Sequence, residues 1–193
     1  MPALVNNNAP IGEDATDVIY ALRKQSDETK ICREMVKKLS QSEMETAARS
    51  SYKYLSKSLD GRCSSEEREH YAMAMALRYL RVAKGDQLSA LASMKSTIAY
   101  REEIDVDGLR RCFYESDNPD ESKANRYDRY RSNLFEQLST AKAYVRGYDI
   151  KGRALYPMIP RRNNSFDPEW YLKGYVYMME RALACTERKT EGL

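Results

Sequence analysis

Arg78 and Arg81 are the two side chains best suited by type and spacing to bind an anion. They belong to the run Leu77-Arg78-Tyr79-Leu80-Arg81, so a helix would place them one turn apart on neighbouring positions of its surface. A guanidinium group donates hydrogen bonds in a fork geometry that matches a phosphate. The alternative, which the sequence favours, is that both arginines form ion pairs with acidic residues of neighbouring helices.

The residue types that perform acid–base or nucleophilic chemistry form no recognisable pattern. His70 is the only histidine, and no cysteine or carboxylate spacing typical of a zinc site surrounds it. Glu66, Glu67 and Glu69 are expected to favour a helix N-terminus electrostatically rather than to form a catalytic pair. The chain has no glycine-rich nucleotide motif, phosphate-binding loop or nucleophile elbow. We therefore predict no catalytic residue, no metal site and no cofactor.

Composition excludes several further classes. The 193 residues carry 32 basic and 29 acidic side chains, a net charge of +3, which is too balanced to imply a nucleic-acid partner. The four cysteines are widely spaced and are expected to be reduced thiols. No secretory signal is visible, and no apolar run approaches the ~20 residues of a membrane span. These features predict a soluble cytoplasmic chain.

The elements that must position the two arginines are predicted to be helices with short links. Residues 1–12 are expected to form a flexible tail, and a first helix is expected over 13–39. Ser40 with Glu43, and Ser64 with Glu67, have the spacing of a capping box. Helices are therefore expected to begin at these two serines, the first running to Leu59 and the second to the C-cap at Lys84-Gly85.

Two more helices complete the predicted N-terminal bundle over 13–114. Asp86 can cap a helix that runs to about Glu103, and 107–114 is expected to form a short helix. The apolar stripe predicted for the helix after Asp86 consists of Leu88, Leu91, Met94 and Ile98.

The C-terminal part of the chain has a different pattern. Residues 115–126 are acidic and poor in apolar side chains, which predicts a loop, and 127–143 is expected to form a linking helix. Two extended segments around a turn at Asp149 to Gly152 predict a β-hairpin, and Asp167-Pro168 is a typical helix start. Residues 127–193 are thus expected to contain a linking helix, a hairpin and one amphipathic helix over 168–186.

Two motifs resemble those of CRAL-TRIO lipid-binding proteins, the phosphatidylinositol-transfer, retinaldehyde-binding and tocopherol-transfer family. The run from Leu77 to Arg81, with Lys84, Asp86 and Tyr100-Arg101, resembles the helical N-terminal region of that family. The segment Tyr148-Asp-Ile-Lys-Gly-Arg-Ala-Leu-Tyr156 resembles the hairpin that starts its lipid-binding domain, with Ala154 where the family has proline. The resemblance covers roughly 66–193. It implies a mainly α fold with a small β-hairpin, in which a helical bundle precedes a truncated CRAL-TRIO α/β domain.

The resemblance also implies where a lipid would bind. Arg78, Arg81 and Lys84 are expected near a lipid phosphate, although the position that is often arginine in phosphatidylinositol binders is Ala83. The expected headgroup contacts are Tyr144 and Tyr156, and an ordinary half-buried strand position is the alternative for Tyr156. Arg161 and Arg162, in the loop before Asp167, are candidates for contact with an anionic membrane surface. The alternative, which the sequence favours, is an ordinary solvated loop.

The function implied by the resemblance is non-catalytic binding of a phospholipid or other hydrophobic lipid, with transfer between membranes as an extension of it. The family's remaining strands and gating helix would follow Leu193, so the chain is expected to lack the complete cavity. The alternative function is a helical protein–protein interaction module, or an inactive truncated relative. In either case an unpaired hairpin edge is expected to favour self-association.

Overall fold

A computed structural model describes residues 26–59, 61–113, 121–164 and 167–190. Those ranges are mainly helical, with eight α-helices and a short 3₁₀ helix at Pro160–Arg162. The tail predicted over 1–12 and the start of the first predicted helix lie outside the described residues. The helices are α1 (Ser26–Lys37), α2 (Gln41–Arg49), α3 (Tyr52–Leu59), α4 (Ser65–Val82), α5 (Gln87–Glu103), α6 (Val106–Arg111), α7 (Glu121–Leu138) and α8 (Pro168–Thr190).

Local sequence accounts for the helix starts. Both capping boxes form: the Glu43 backbone N–H donates to Ser40 Oγ at 3.1 Å, and the Ser40 N–H donates to the Glu43 carboxylate at 2.6 Å. The same exchange joins Ser64 and Glu67. Each box gives partners to backbone groups that a helix end otherwise leaves without one. The predicted starts of α2 and α4 are confirmed.

The helix predicted from Ser40 to Leu59 is wrong in one respect, because it breaks at Ser50–Ser51 into α2 and α3. Groups remote in sequence bind the exposed backbone at this break. Arg110 Nη1 donates to the carbonyl oxygen of Arg49 at 2.5 Å, and the Tyr52 N–H donates to the Glu187 carboxylate at 2.8 Å. Tertiary contacts from α6 and α8 therefore stabilise a helix break that the local pattern does not indicate.

The first hydrophobic core lies between α1, α2, α4 and α5. Met35, Leu77, Leu80, Met94 and Ile98 are fully buried in it. The predicted stripe of α5 is wrong at one position, since Leu88 is 75% exposed and Ala90 is buried instead. Leu88 lies in the first turn of α5, before that helix reaches the packed part of the bundle. The other predicted positions of this stripe contribute to the core.

The second hydrophobic core joins α6, α7 and α8. Leu109, Tyr127, Leu134, Trp170 and Tyr177 are its main buried side chains. α7 begins at Glu121, so its first turn occupies the end of the loop predicted over 115–126, and α8 extends to Thr190, beyond the predicted end at 186. Helix α8 also contacts α3, so it connects the second core to the N-terminal bundle.

Residues 142–159 form an antiparallel ribbon rather than the predicted hairpin of regular strands. Its pairing consists of two isolated bridges, Ala143 with Met158 near the base and Tyr148 with Ala154 near the turn. No regular strand, and so no α/β sheet, occurs within the described ranges. Gly147 interrupts the first extended segment with φ +70°, and Pro157 has no N–H to donate in the second. The predicted turn does form, with the Gly152 N–H donating to the Asp149 carbonyl at 3.0 Å.

Candidate functional site

A groove of about 350 Å³ lies where the C-terminal half of α4 meets α5 and α8. Helix α4 supplies its longest wall because residues one turn apart recur on the same side of a helix. Its lining residues are Ser50, Met75, Arg78, Tyr79, Val82, Thr97, Arg101 and Leu183. The groove therefore combines apolar side chains with two guanidinium groups and three hydroxyl groups.

Arg78 is the lining residue whose charge is not neutralised by a direct partner. Its Nη2 donates to Ser50 Oγ at 3.0 Å, and among the described residues no carboxylate lies within ion-pair distance of it. Arg78 is exposed on the groove side, and the protein around it displaces part of its hydration. This desolvation lowers the pKa of Arg78, although Glu187 at a longer distance acts in the opposite direction. The groove thus contains an exposed cation with unused donors.

Arg101, on the facing helix, is neutralised by α8. Its Nη1 and Nη2 donate to the two carboxylate oxygens of Glu180 at 2.7 and 3.2 Å. Burial opposes the charged form of Arg101, but the hydrogen bonds to Glu180 outweigh it and raise the pKa of Arg101. The buried Nε of Arg101 has no hydrogen-bond partner in the described part of the chain.

A cluster of buried charges lies behind Arg101. Arg110 Nε is 3.2 Å from the second oxygen of Glu180, and Asp107 lies near both arginines at 3.6 and 3.9 Å. Desolvation raises the pKa of Asp107 even though Arg110 and Arg101 act to lower it. Burial likewise lowers the pKa of Arg110, against the attraction of Glu180. These charges are partnered with one another, so the cluster is suited to joining helices rather than to holding a ligand.

The remaining walls of the groove are apolar or internally bonded. The Tyr79 hydroxyl donates to Thr97 Oγ1 at 2.5 Å, which holds α4 and α5 together at this point. Val82 is 82% exposed and Leu183 is 47% exposed, and both face solvent beside Arg78. Exposed aliphatic side chains next to a cation suit a ligand that has an anionic group attached to an apolar chain.

Arg81 and Lys84 do not share this groove with Arg78. Arg81 Nη2 lies 3.3 Å from the Glu28 carboxylate of α1, which is the ion pair with a neighbouring helix that the sequence favoured. Lys84 is exposed beyond the end of α4, where it adopts φ +53° beside Gly85 at φ +91°. The Gly85 N–H donates to the Leu80 carbonyl at 2.9 Å, which closes the helix.

Tyr144 and Tyr156 lie in the ribbon, against the second core. Both are half-buried, and neither lines the groove. The buried hydroxyl of Tyr156 has no hydrogen-bond partner among the described residues, and burial raises the pKa of this phenol. Tyr144 and Tyr156 therefore do not share a site with Arg78, although the resemblance implies that these residues bind the same lipid.

Arg161 and Arg162 are exposed in the 3₁₀ helix that follows the ribbon. Thr140 Oγ1 donates to the carbonyl oxygen of Arg162 at 2.8 Å, which fixes the backbone at the end of α7. Their side chains face solvent at the base of the ribbon.

Of the residues that line the groove, sequence reasoning identified only Arg78 as a site residue. The spacing of Met75, Arg78, Tyr79 and Val82 is a usable signal, because these residues recur every three or four positions. Ser50 and Leu183 could not be found in this way, since only the packing of α2, α4 and α8 brings them beside Arg78.

Comparison with known protein families, with curated proteins and with solved structures finds no match to this chain. No group of three or more histidine, cysteine, aspartate or glutamate side chains within the described ranges is arranged to hold a metal ion. None of the helices in the described part is both long and apolar enough to cross a bilayer.

Proposed function

We propose that this chain binds a lipid non-catalytically, with an anionic headgroup at Arg78 and part of the acyl chain along the groove. The observation that carries this proposal is the environment of Arg78, a cation with no ion-pair partner in the described part of the chain. Arg78 is exposed in the groove, where a ligand can reach its guanidinium group and provide such a partner. A carboxylate or phosphate in the groove would supply it through charge-assisted hydrogen bonds.

The apolar walls support an amphiphile rather than a small inorganic anion. Met75, Val82 and Leu183 would cover methylene groups, each of which contributes about 0.8 kcal/mol when it leaves water. The volume of about 350 Å³ lies at the small end of the range for ligand sites. The proposed ligand is therefore a single-chain lipid with an acidic head, bound with part of its chain outside the groove.

The resemblance to CRAL-TRIO proteins supports the same ligand class. On this proposal α4 and α5 correspond to the helical region of that family, and the ribbon and α8 correspond to the start of its α/β domain. Headgroup contact by Tyr144 and Tyr156 stays a prediction of this resemblance, and membrane contact by Arg161 and Arg162 stays a prediction from their charge. Transfer of lipid between membranes would require a more enclosed site than the groove.

The experiment is a displacement assay in which oleate or lysophosphatidate competes with a fluorescent fatty acid. Arg78→Gln should weaken binding of the acidic lipids roughly tenfold or more, because a charge-assisted hydrogen bond contributes about 1.5–3 kcal/mol. Arg81→Gln is the matched control, since it removes the same group one turn away but outside the groove. Equal losses for the two variants, or no loss for Arg78→Gln, would contradict the proposal. Neutral monooleoylglycerol should bind the wild type and Arg78→Gln alike.

A second candidate function is a helical interaction module, and the exposed ridge of α8 favours it. Leu172, Met179 and Leu183 are 46%, 47% and 47% exposed and recur at helical spacing. A second copy of the chain packed along this ridge would bury them. The ribbon edge is a weaker candidate for self-association, because the Ala154 N–H donates to Thr186 of α8 at 2.9 Å. Native mass spectrometry distinguishes the candidates, since Met179→Glu should abolish a dimer without affecting lipid binding.

A further inference from the structure

The turn at the tip of the ribbon presents the most exposed large apolar side chain in the described part of the molecule. Ile150 is 97% exposed, and Tyr148, two residues before it, is 44% exposed. Single exposed apolar residues are common on protein surfaces and by themselves indicate nothing. The turn around Ile150 and the charges beside it are what distinguish this position.

The turn is held rigidly by Asp149. Its carboxylate accepts hydrogen bonds from the backbone N–H groups of Lys151 and Arg153 at 2.9 and 2.8 Å, and from Arg153 Nε at 2.7 Å. Gly152 completes the turn with φ +77°. These bonds use the acidic group internally and hold Ile150 outward on an ordered backbone, so little ordering is needed when the tip binds a partner.

Basic side chains surround the tip. Arg146 and Lys151 are exposed, and the Arg153 side chain is 60% exposed. Lys189, from the end of α8, lies 5.8 Å from the centre of the Tyr148 ring. The nearby carboxylates face other groups: Asp149 accepts from its own turn, and Glu187 accepts from the Tyr52 N–H. The tip therefore combines a protruding aliphatic side chain, an aromatic ring and an excess of positive charge.

We propose that the ribbon tip is a contact site for an anionic lipid bilayer. Ile150 would enter the boundary between headgroups and acyl chains, and Tyr148 would lie at headgroup level, where amphipathic rings are favoured. Arg146, Lys151 and Lys189 would contact lipid phosphates and carboxylates at the surface. This proposal does not depend on the groove at Arg78, because the tip and the groove share no residue.

The tip is distinct from the membrane contact that the sequence suggested at Arg161 and Arg162. Those residues follow the base of the ribbon, where Ala143 pairs with Met158, whereas Ile150 follows the bridge between Tyr148 and Ala154. The two bridges are separated by roughly 17 Å along the extended segment. The two basic sites therefore lie at opposite ends of the ribbon and provide controls for each other.

The experiment measures sedimentation of the full chain with phosphatidylcholine vesicles that contain phosphatidylserine, and with phosphatidylcholine vesicles alone. The double variant Arg146→Glu, Lys151→Glu should reduce binding to the acidic vesicles roughly thirtyfold, because each basic residue contributes about fivefold at such a surface. The matched variant Arg161→Glu, Arg162→Glu makes the same change in charge at the base. Contact at the tip predicts that this variant binds like the wild type, whereas membrane contact by Arg161 and Arg162 predicts that it loses binding.

A second pair of variants tests insertion of the apolar side chain. Ile150→Ser should weaken vesicle binding roughly tenfold, whereas Leu88→Ser, at another exposed aliphatic residue, should leave it unchanged. Circular dichroism should show unaltered helix content for all four variants, since the substituted side chains are exposed. No sedimentation of the wild type with acidic vesicles would overturn the proposal, and so would a loss confined to the variant at Arg161 and Arg162. An equal loss for Ile150→Ser and Leu88→Ser would overturn insertion at the tip.

Discussion

Arg101 and Glu180 lie 79 positions apart, yet the arginine donates two hydrogen bonds to the two carboxylate oxygens of the glutamate. The same carboxylate also pairs with Arg110. Their side chains are about one-tenth exposed or less, so solvent screens these contacts weakly. One glutamate of α8 thus neutralises arginines from both α5 and α6.

Glu180→Gln should destabilise the protein by about 3–5 kcal/mol, because it leaves two buried guanidinium groups with only the more distant Asp107 carboxylate as a counterion. The measurement is the free energy of unfolding from urea titration. Glu28→Gln breaks the more exposed pair with Arg81 and should cost less than about 1 kcal/mol. Similar values for the two variants would mean that the Glu180 cluster contributes no more than a surface pair.

Leu80→Ala should cost about 2–5 kcal/mol, since Leu80 is 2% exposed within the first core and its truncation leaves a cavity. Val82→Ala, two positions along the same helix, should change stability by less than about 0.5 kcal/mol because Val82 is exposed. Thermal or chemical unfolding of both variants measures the difference. A small effect at Leu80 would place it outside the core.

Ser40→Ala should reduce stability by about 0.5–2 kcal/mol, because the α2 capping box loses the acceptor of the Glu43 N–H. Ser56→Ala, in the exposed part of α3, is a suitable control. Among the described contacts, the Ser56 hydroxyl donates only to the Lys53 carbonyl oxygen within α3. Removal of this hydroxyl should therefore have little effect on stability. A Ser40→Ala variant as stable as this control would show that the box contributes nothing measurable.

The capping box also predicts a pH dependence. The Ser40 N–H and Lys95 lower the pKa of Glu43 below its usual value of 4.5, so the folded state favours the ionised carboxylate. The resulting stabilisation is fully present above the unfolded-state pKa and is lost as the pH falls through the lowered folded-state value. Glu43→Gln should therefore be less stable than the wild type at neutral pH, and the difference should diminish in acid. A difference independent of pH, measured by urea titration at several pH values, would contradict this origin.

The size and openness of the groove predict that the protein binds a lipid but does not transfer phospholipid between membranes. A two-chain phospholipid would leave many methylene groups in water at a site of about 350 Å³ that is open to solvent. In a vesicle-to-vesicle assay the chain should not raise the rate of phospholipid transfer above the spontaneous rate. A monomer that carries one stoichiometric phospholipid in native mass spectrometry and is active in transfer would contradict this.

The parts of the fold that could be predicted are those that local sequence determines. Ser40, Ser64 and Asp86 cap helices through groups within three positions of themselves, and their spacing is visible in the sequence. The break at Ser50–Ser51 could not be predicted, because Arg110 and Glu187 reach it from remote helices. The groove could not be predicted for the same reason, because helices remote in sequence meet to form it. Arg78 and Arg81 have similar sequence surroundings. Arg81 forms an ion pair because α1 places Glu28 beside it, whereas Arg78 lines the groove that α8 helps to form.

Because Glu180 lies far along the chain from Arg101, it is synthesised well after the arginines with which it pairs. Ribosomes add about 5–20 residues per second, so roughly 4–16 seconds separate the synthesis of Arg101 from that of its partner. The residues of the first core are all made before Glu103, and this bundle can therefore pack while α8 is still absent. During that interval Arg101 and Arg110 have Asp107 beside them but lack Glu180, and Arg78 has no ion-pair partner. We therefore expect attraction between these arginines and the acidic side chains of α8, Glu180 and Glu187, to favour docking of α8 onto the bundle.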